Sequence, residues 1–214
     1  MWYPRPSASF RPNRNKDFMK LLIASRNPKK LEEIRAILDI PGLDLVSALD
    51  IPDAPDVDED GATFQENAIK KAVTLARATG LWTLADDSGL EVDALNGAPG
   101  VYSARYAGEP VKYEANNRKL LAALMGEANR RARFRCVIAL SSPDGDARTV
   151  EGACEGSILE VLRGRRGFGY DPLFVPDGWR ETFAEMDEAE KNRISHRGRA
   201  LARARQAWGD LLKG

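Results

Sequence analysis

The chain is poor in the residues that small folds use as staples: its 214 residues hold two cysteines, Cys136 and Cys154, and one histidine, His196. Two thiols make no disulfide framework, so stability has to come from a hydrophobic core, which a chain of this length can build alone. No apolar run approaches the ~20 residues of a membrane span, and no secretory apolar segment precedes the first strand. Net charge of one sign is missing too, because 32 Lys and Arg balance 32 Asp and Glu. Global electrostatics therefore offer no argument for a nucleic-acid or membrane partner. The phosphate-loop pattern G-x-x-x-x-G-K-[ST] occurs nowhere. What remains is a cytoplasmic protein with one domain over 19–214, preceded by a flexible extension over 1–18. That extension carries three prolines and no apolar periodicity, which spoils an amphipathic transit helix and makes Met19 an alternative start.

Charge is uneven along the chain. Between Arg35 and Lys70 there is no basic residue, while Asp44, Asp50, Asp53, Asp56, Asp58, Glu59, Asp60 and Glu66 all fall there. Basic residues gather late, at Arg163, Arg165, Arg166, Lys191, Arg193, Arg197, Arg199, Arg203 and Arg205. Two such segments facing one another across a cleft suit a metal and a polyphosphate; apart, they are two solvated faces. Asp56, Asp58, Asp60 and Gly61 imitate the first half of a calcium-binding loop, but its twelfth position is Asn67, and Pro52 and Pro55 forbid the incoming helix.

Periodicity places the elements. Lys20 to Ser25 reads as a buried strand, and Asn27-Pro28 then opens a helix on Leu31, Ile34, Ile37 and Leu38, whose free N–H groups offer an anion site beside Ser25, Asn27, Lys29 and Lys30. Leu43 to Ser47 is a second strand. Thr63-Phe-Gln-Glu66 is a capping box for a helix ending at Gly80. Leu81 to Ala85 is expected to be a strand that delivers Asp86, Asp87, Ser88 and Gly89, with the two carboxylates on opposite faces if the strand runs on through them, and Leu90 to Leu95 is either its continuation or a return strand after a glycine turn. A helix follows over 113–125, and then a hairpin closes at Ser142-Pro-Asp-Gly145, its outer arginines facing solvent or partner-strand acids. The loop Gly164 to Pro172 is basic and glycine-rich, with Phe168 or Tyr170 available to stack on a base. Thr182-Phe-Ala-Glu185 has the capping-box form again. Ser195 starts a last helix, with His196 and Arg197 in its first turn and Ala200, Ala204, Trp208 and Leu211 on one face.

Together these segments resemble the inosine triphosphate pyrophosphatase family. The matching stretches are SRNPKKLEEI at 25–34, GATFQENAIKKA at 61–72, ADDSGLEVDALNGAPGVYSARYAG at 85–108, GFGYDPLFVP at 167–176 and TFAEMDEAEKNRISHRGRAL at 182–201. The resemblance implies a mixed α/β fold in which a long curved central sheet with flanking helices forms two lobes around a cleft, usually as a homodimer. It implies Mg2+-dependent hydrolysis of ITP, dITP and XTP to the monophosphate and pyrophosphate. By the same resemblance Asp87 is the catalytic residue and a metal ligand, with Asp58 or Glu59 as the further acidic ligand. Ser25, Arg26, Asn27, Pro28, Lys29 and Lys30 would bind the triphosphate. Ser88, Phe168, Gly169, Tyr170, Asp171, Lys191, His196 and Arg197 would contact the remainder of the substrate. Two rival readings stand beside it: a pyrophosphatase of modified pyrimidine nucleotides, and a nucleic-acid-binding module built on the basic last helix with Trp208.

Overall fold

The computed structural model describes residues 19 to 213, and side chains as far as Leu212; the expected extension over 1–18 lies outside the described residues. Six strands form one mixed sheet in the order β2-β1-β3-β4-β5-β6. They are β1 (Met19–Ile23), β2 (Leu43–Ser47), β3 (Trp82–Val92), β4 (Arg131–Ser141), β5 (Ala147–Ile158) and β6 (Phe174–Pro176). β1 runs parallel to β2 and β3, and the remaining neighbours are antiparallel. The helices are α1 (Pro28–Ile37), α2 (Phe64–Thr79), α3 (Tyr113–Ala123), α4 (Glu188–Ile194) and α5 (His196–Trp208). Among the described residues, no helix is long and apolar enough to cross a membrane.

The alternation of side chains along a strand sorts the core into layers. Leu84, Cys136, Ile138 and Leu140 face α1 and α5 and pack against Leu31, Ile34, Leu201 and Trp208. Ala85, Val137 and Ala139 face the other way, toward α2, where Phe64, Ala68, Ala72 and Leu75 meet them. Small side chains on both partners let that helix lie close to the sheet. Farther along the same long strands, Leu90, Val92, Ala132 and Phe134 join Leu120, Leu124, Phe174 and Phe183 in a separate core that forms the second lobe. Trp208 is buried, and so serves packing and offers no exposed ring to a base.

One open alternative is decided and two local expectations change. Of the two readings of the segment after Gly89 the continuation holds, since β3 runs through Asp86, Asp87, Ser88 and Gly89 to Val92, hydrogen-bonded residue for residue to β4. Gly89 is there for room, since a Cβ would meet the carbonyl oxygen of Gly100 and Oγ of Ser103, both at 2.5 Å. Thr182 to Glu185 makes half of a capping box, with the Thr182 N–H donating to Glu185 Oε2 at 2.8 Å, but no helix follows. The Thr182 hydroxyl is spent on the Arg163 carbonyl, and α4 starts only at Glu188, capped by Asp187. The first turn of α1 does not offer free N–H groups, because Asn27 Oδ1 accepts from the N–H groups of both Lys29 and Lys30. The expected arginine ladder is present, with Arg133 and Arg135 pairing to Glu91, Asp93, Glu151 and Glu155.

Candidate active site

Strand lengths open the cleft. β1 pairs with β3 only as far as Leu84, and the Ala24 N–H closes the ladder on the Leu84 carbonyl at 2.8 Å. Beyond that point the chain of β1 turns away through Ser25 and Asn27 into α1. The edge of β3 from Ala85 onward therefore has no strand beside it, and this edge carries the two carboxylates.

On the α1 and α5 side, Asp86 is 2% exposed and accepts from four groups. Lys30 Nζ lies at 2.5 Å, Arg197 Nε at 3.0 Å, Ser88 Oγ at 3.1 Å and Cys136 Sγ at 3.0 Å. Burial opposes its ionisation, but Arg197 and Lys30 outweigh burial and hold the carboxyl well below the usual range. Arg197 also donates to Ser88 Oγ at 2.9 Å and to Glu33. Glu33 in turn accepts from Lys191 Nζ at 2.8 Å, and Lys191 donates to Asp171 Oδ2 at 2.7 Å. The result is an alternating chain of buried charges, Lys30, Asp86, Arg197, Glu33, Lys191 and Asp171, that joins the two lobes. Asp171 further accepts the Phe168 N–H at 2.9 Å, which fixes the glycine-rich loop.

On the α2 side the balance differs. Asp87, 4% exposed, faces Glu59 and Lys71, and its Oδ2 is buried with no hydrogen-bond partner among the described residues. Burial pushes its carboxyl up to about 6 against the pull of Lys71 and Lys30, and Glu59 adds to the rise. Lys71 Nζ reaches Asp87 Oδ1 at 3.3 Å, Glu59 Oε1 at 3.2 Å and the Asp86 carbonyl at 2.7 Å. This lysine was not among the expected site residues. Its signal lay in the α2 pattern, where it falls on the buried stripe with Phe64, Ala68 and Leu75.

The expected residues separate accordingly. Ser25, Arg26, Asn27, Lys30, Glu59 and Asp87 line one cavity of about 290 Å³. Asp58 is exposed and is not part of that lining, so of the two acids the structure brings only Glu59 to Asp87. Arg26 is tied to the Ala54 carbonyl and Asp56, Lys29 pairs with Glu32 outside this cavity, and Pro28 serves as the first residue of α1. A second pocket adjoins the first and is lined by Phe168, Gly169, Tyr170, Asp171, Lys191, His196 and Arg197. Lys191 Nζ stands 5.1 Å from the Phe168 ring centroid. The Tyr170 ring is buried and its hydroxyl donates to the Ser103 carbonyl at 2.9 Å, so of the two candidate stacking rings it is the one spent as an anchor. His196 is stacked on Phe134 at 4.7 Å, and burial pushes it well below the ordinary histidine value, leaving it neutral.

Hard divalent cations take oxygen ligands, and Mg2+ in particular uses one or two carboxylates together with phosphate oxygens. Asp87 and Glu59 offer an all-oxygen pair with one buried oxygen unpaired and a carboxyl that burial holds toward its neutral form. Among the described residues no group of three or more His, Cys, Asp or Glu side chains converges, so the pair fits an ion completed by a phosphorylated ligand and not a closed all-protein cage.

The chain matches the model of the Ham1 family over residues 21–207. It is 55% identical to a dITP/XTP pyrophosphatase of Desulforamulus reducens over 90% of this chain and 97% of that one. It is 56% identical to a dITP/XTP pyrophosphatase of Geobacter sulfurreducens over 86% of this chain and 93% of that one. Among solved structures, a HAM1 protein from Coxiella burnetii superposes with TM-score 0.82 at 42% identity, covering 90% of this chain and 99% of that one. A nucleoside-triphosphatase / dITP/XTP pyrophosphatase from Mycobacterium abscessus superposes with TM-score 0.73 at 49% identity, covering 87% and 98%.

Proposed function

This chain belongs to the Ham1 family, and from that premise we propose how its cleft acts as a nucleoside-triphosphate pyrophosphatase. The reaction is hydrolysis of noncanonical purine nucleotides, dITP, XTP and ITP, to the monophosphate and pyrophosphate, which keeps such bases out of DNA and RNA. The observation that carries the mechanism is the division of β3: Asp86 binds cations on one face while Asp87 keeps an unpaired buried oxygen on the other. The triphosphate lies along Ser25 to Lys30. Lys30, held by Asp86, meets the negative phosphates, and the Ser25 hydroxyl and the positive end of the α1 dipole add to that field. Asp87 and Glu59 hold Mg2+, which when bound neutralises phosphate charge and polarises the phosphoryl oxygens.

The base lies in the adjoining pocket against Phe168. Hypoxanthine and xanthine carry an acceptor oxygen at position six where adenine carries an amino donor. Lys191 has one N–H beyond those given to Glu33 and Asp171, which supports the reading that it donates to that oxygen. A buried donor left unpaired by the wrong base supports discrimination of roughly 10⁴. Arg197 is largely committed to Asp86, Glu33 and Ser88, so it orders the pocket more than it reads the base.

The protein works in the cytoplasm, as a homodimer. The dimer contact includes the segment 97–108, where Tyr102 is 58% exposed. Pyrophosphate release should be measured with ITP, dITP, XTP, ATP, GTP, dUTP and a methylated pyrimidine triphosphate, with Mg2+ and after chelation. The inosine and xanthine nucleotides should turn over with Mg2+ alone. Equal rates on ATP, preference for the pyrimidine, or full activity after chelation would overturn the reading.

A further inference from the structure

Tyr113 belongs to none of the elements so far given a role. It opens α3 and is 38% exposed. Among the described residues no hydrophobic cluster includes it, and the helix cap at Lys112 makes no side-chain bond. Its contacts instead run across the cleft. The ring centroid stands 6.1 Å from that of Phe168 at 46°, and the hydroxyl oxygen accepts from Asn27 Nδ2 at 3.3 Å. It therefore touches the glycine-rich loop of one lobe and the start of α1 in the other.

Its position relative to the two pockets is informative. Tyr113 lines the pocket of Phe168, Lys191 and His196, and not the cavity of Asp87 and Glu59. Asn27, Lys30, Ser88 and Ala104 line both and so mark the seam between them. A nucleotide with its base against Phe168 and its phosphates along 25–30 has its sugar across that seam, where the Tyr113 hydroxyl meets Asn27. The polarity of this contact is settled by the helix. Asn27 Oδ1 is fixed as acceptor for the Lys29 and Lys30 N–H groups, so Nδ2 must face Tyr113 as donor. The tyrosine oxygen accepts, and its own O–H is left to donate.

We propose that Tyr113 is a substrate-binding residue of this chain, supplying the wall of the nucleoside pocket that faces Phe168 and a hydroxyl donor at the sugar. The proposal rests on the pyrophosphatase reading given above. An exposed ring costs little side-chain entropy to order, and contact between an aromatic side chain and a base is of the size seen in nucleic-acid stacking platforms. Such a contact is made equally by substrate and transition state, so it acts on KM and leaves kcat alone.

The test compares wild type, Tyr113→Ala and Tyr113→Phe in three measurements: inosine monophosphate affinity by calorimetry, kcat and KM for ITP, and inhibition by pyrophosphate. Tyr113→Ala should weaken inosine monophosphate binding and raise KM by about tenfold. It should leave kcat within about twofold and pyrophosphate inhibition unchanged. Tyr113→Phe, which keeps the ring and loses the donor, should fall between. Unchanged inosine monophosphate affinity in Tyr113→Ala would overturn the proposal. Equal weakening of inosine monophosphate and pyrophosphate would overturn it too, since Tyr113 would then act through Asn27 on the phosphates. Wild type that binds inosine monophosphate yet releases no pyrophosphate from ITP would refute the pyrophosphatase reading, while the binding series still decides the role of Tyr113.

Discussion

Asp86 and Asp87 are neighbours in one strand, equally buried, and meet opposite treatment. Asp86 accepts from Lys30, Arg197, Ser88 and Cys136, and every charge near it is answered by another. Asp87 faces a second carboxylate and pairs with one lysine, and one of its oxygens has no partner among the described residues. A buried charge that is paired and hydrogen-bonded holds its surroundings in place, whereas one left short of partners is a site for a ligand that supplies them. The first carboxylate builds the cleft by fixing cations from both lobes. In the mechanism proposed above the second is the reactive one, and its cation comes from outside the chain.

The comparison is broken most sharply at Asp87 itself. Asp87→Asn should lower turnover of ITP by on the order of 10³ or more while the protein stays folded by circular dichroism. Near-normal kcat would remove Asp87 from the reaction. Smaller in size is the contrast between the two candidate second acids. Glu59→Gln should raise the Mg2+ concentration for half-maximal rate by about 10- to 100-fold, while exposed Asp58→Asn should change it by less than about twofold. The reverse order would place the ligand at Asp58.

The smallest effect concerns the ordered side. Burial keeps His196 neutral in the folded protein well below its ordinary value, whereas the unfolded chain protonates it near pH ~6.5. Below that pH the unfolded state binds the extra proton, so stability falls with falling pH, by up to about 1.4 kcal/mol per unit, until the folded value is reached. His196→Gln, neutral throughout, should flatten this slope in urea titrations between pH 7 and pH 5. Identical slopes in both proteins would mean that His196 is not held neutral.

Much of this arrangement is legible in the residues. Asn27-Pro28 specifies a capped helix start, Thr63 and Glu66 close their capping box, and the turn at Ser142 to Gly145 fixes the register of the β4–β5 hairpin. Gly89 leaves a turn and a continuing strand both open, because glycine signals both a turn and a close approach, and only the packing of Ser103 and Gly100 against it tells them apart. The alternation of Leu84, Asp86, Ser88, Leu90 and Val92 already carries the strand through. The choice between Phe168 and Tyr170 is open in the sequence for a related reason, since whether an aromatic hydroxyl faces a ligand or a backbone carbonyl depends on a segment 67 residues away. Lys71 and Glu33 escape notice because their partners lie in other elements; a lysine on an apolar helical stripe is the one local hint. The free N–H groups expected at α1 are absent for a local reason, because the same asparagine that starts the helix consumes them, and an anion there would meet the side chains of Ser25, Asn27 and Lys30.

The contrast between the two carboxylates is tested most directly by the stability of Asp86→Asn and Asp87→Asn, measured without metal by denaturant unfolding at pH 7. Removing the Asp86 charge leaves Arg197 and Lys30 buried without their shared partner, so that variant should lose roughly 3–5 kcal/mol. Asp87 is held at about 6 by burial, above its unfolded value, so its ionised form costs stability at pH 7 and not below about pH 4. Asp87→Asn should therefore be as stable as wild type or more so, with any advantage shrinking as pH falls below 6. Equal losses in both variants would contradict the account.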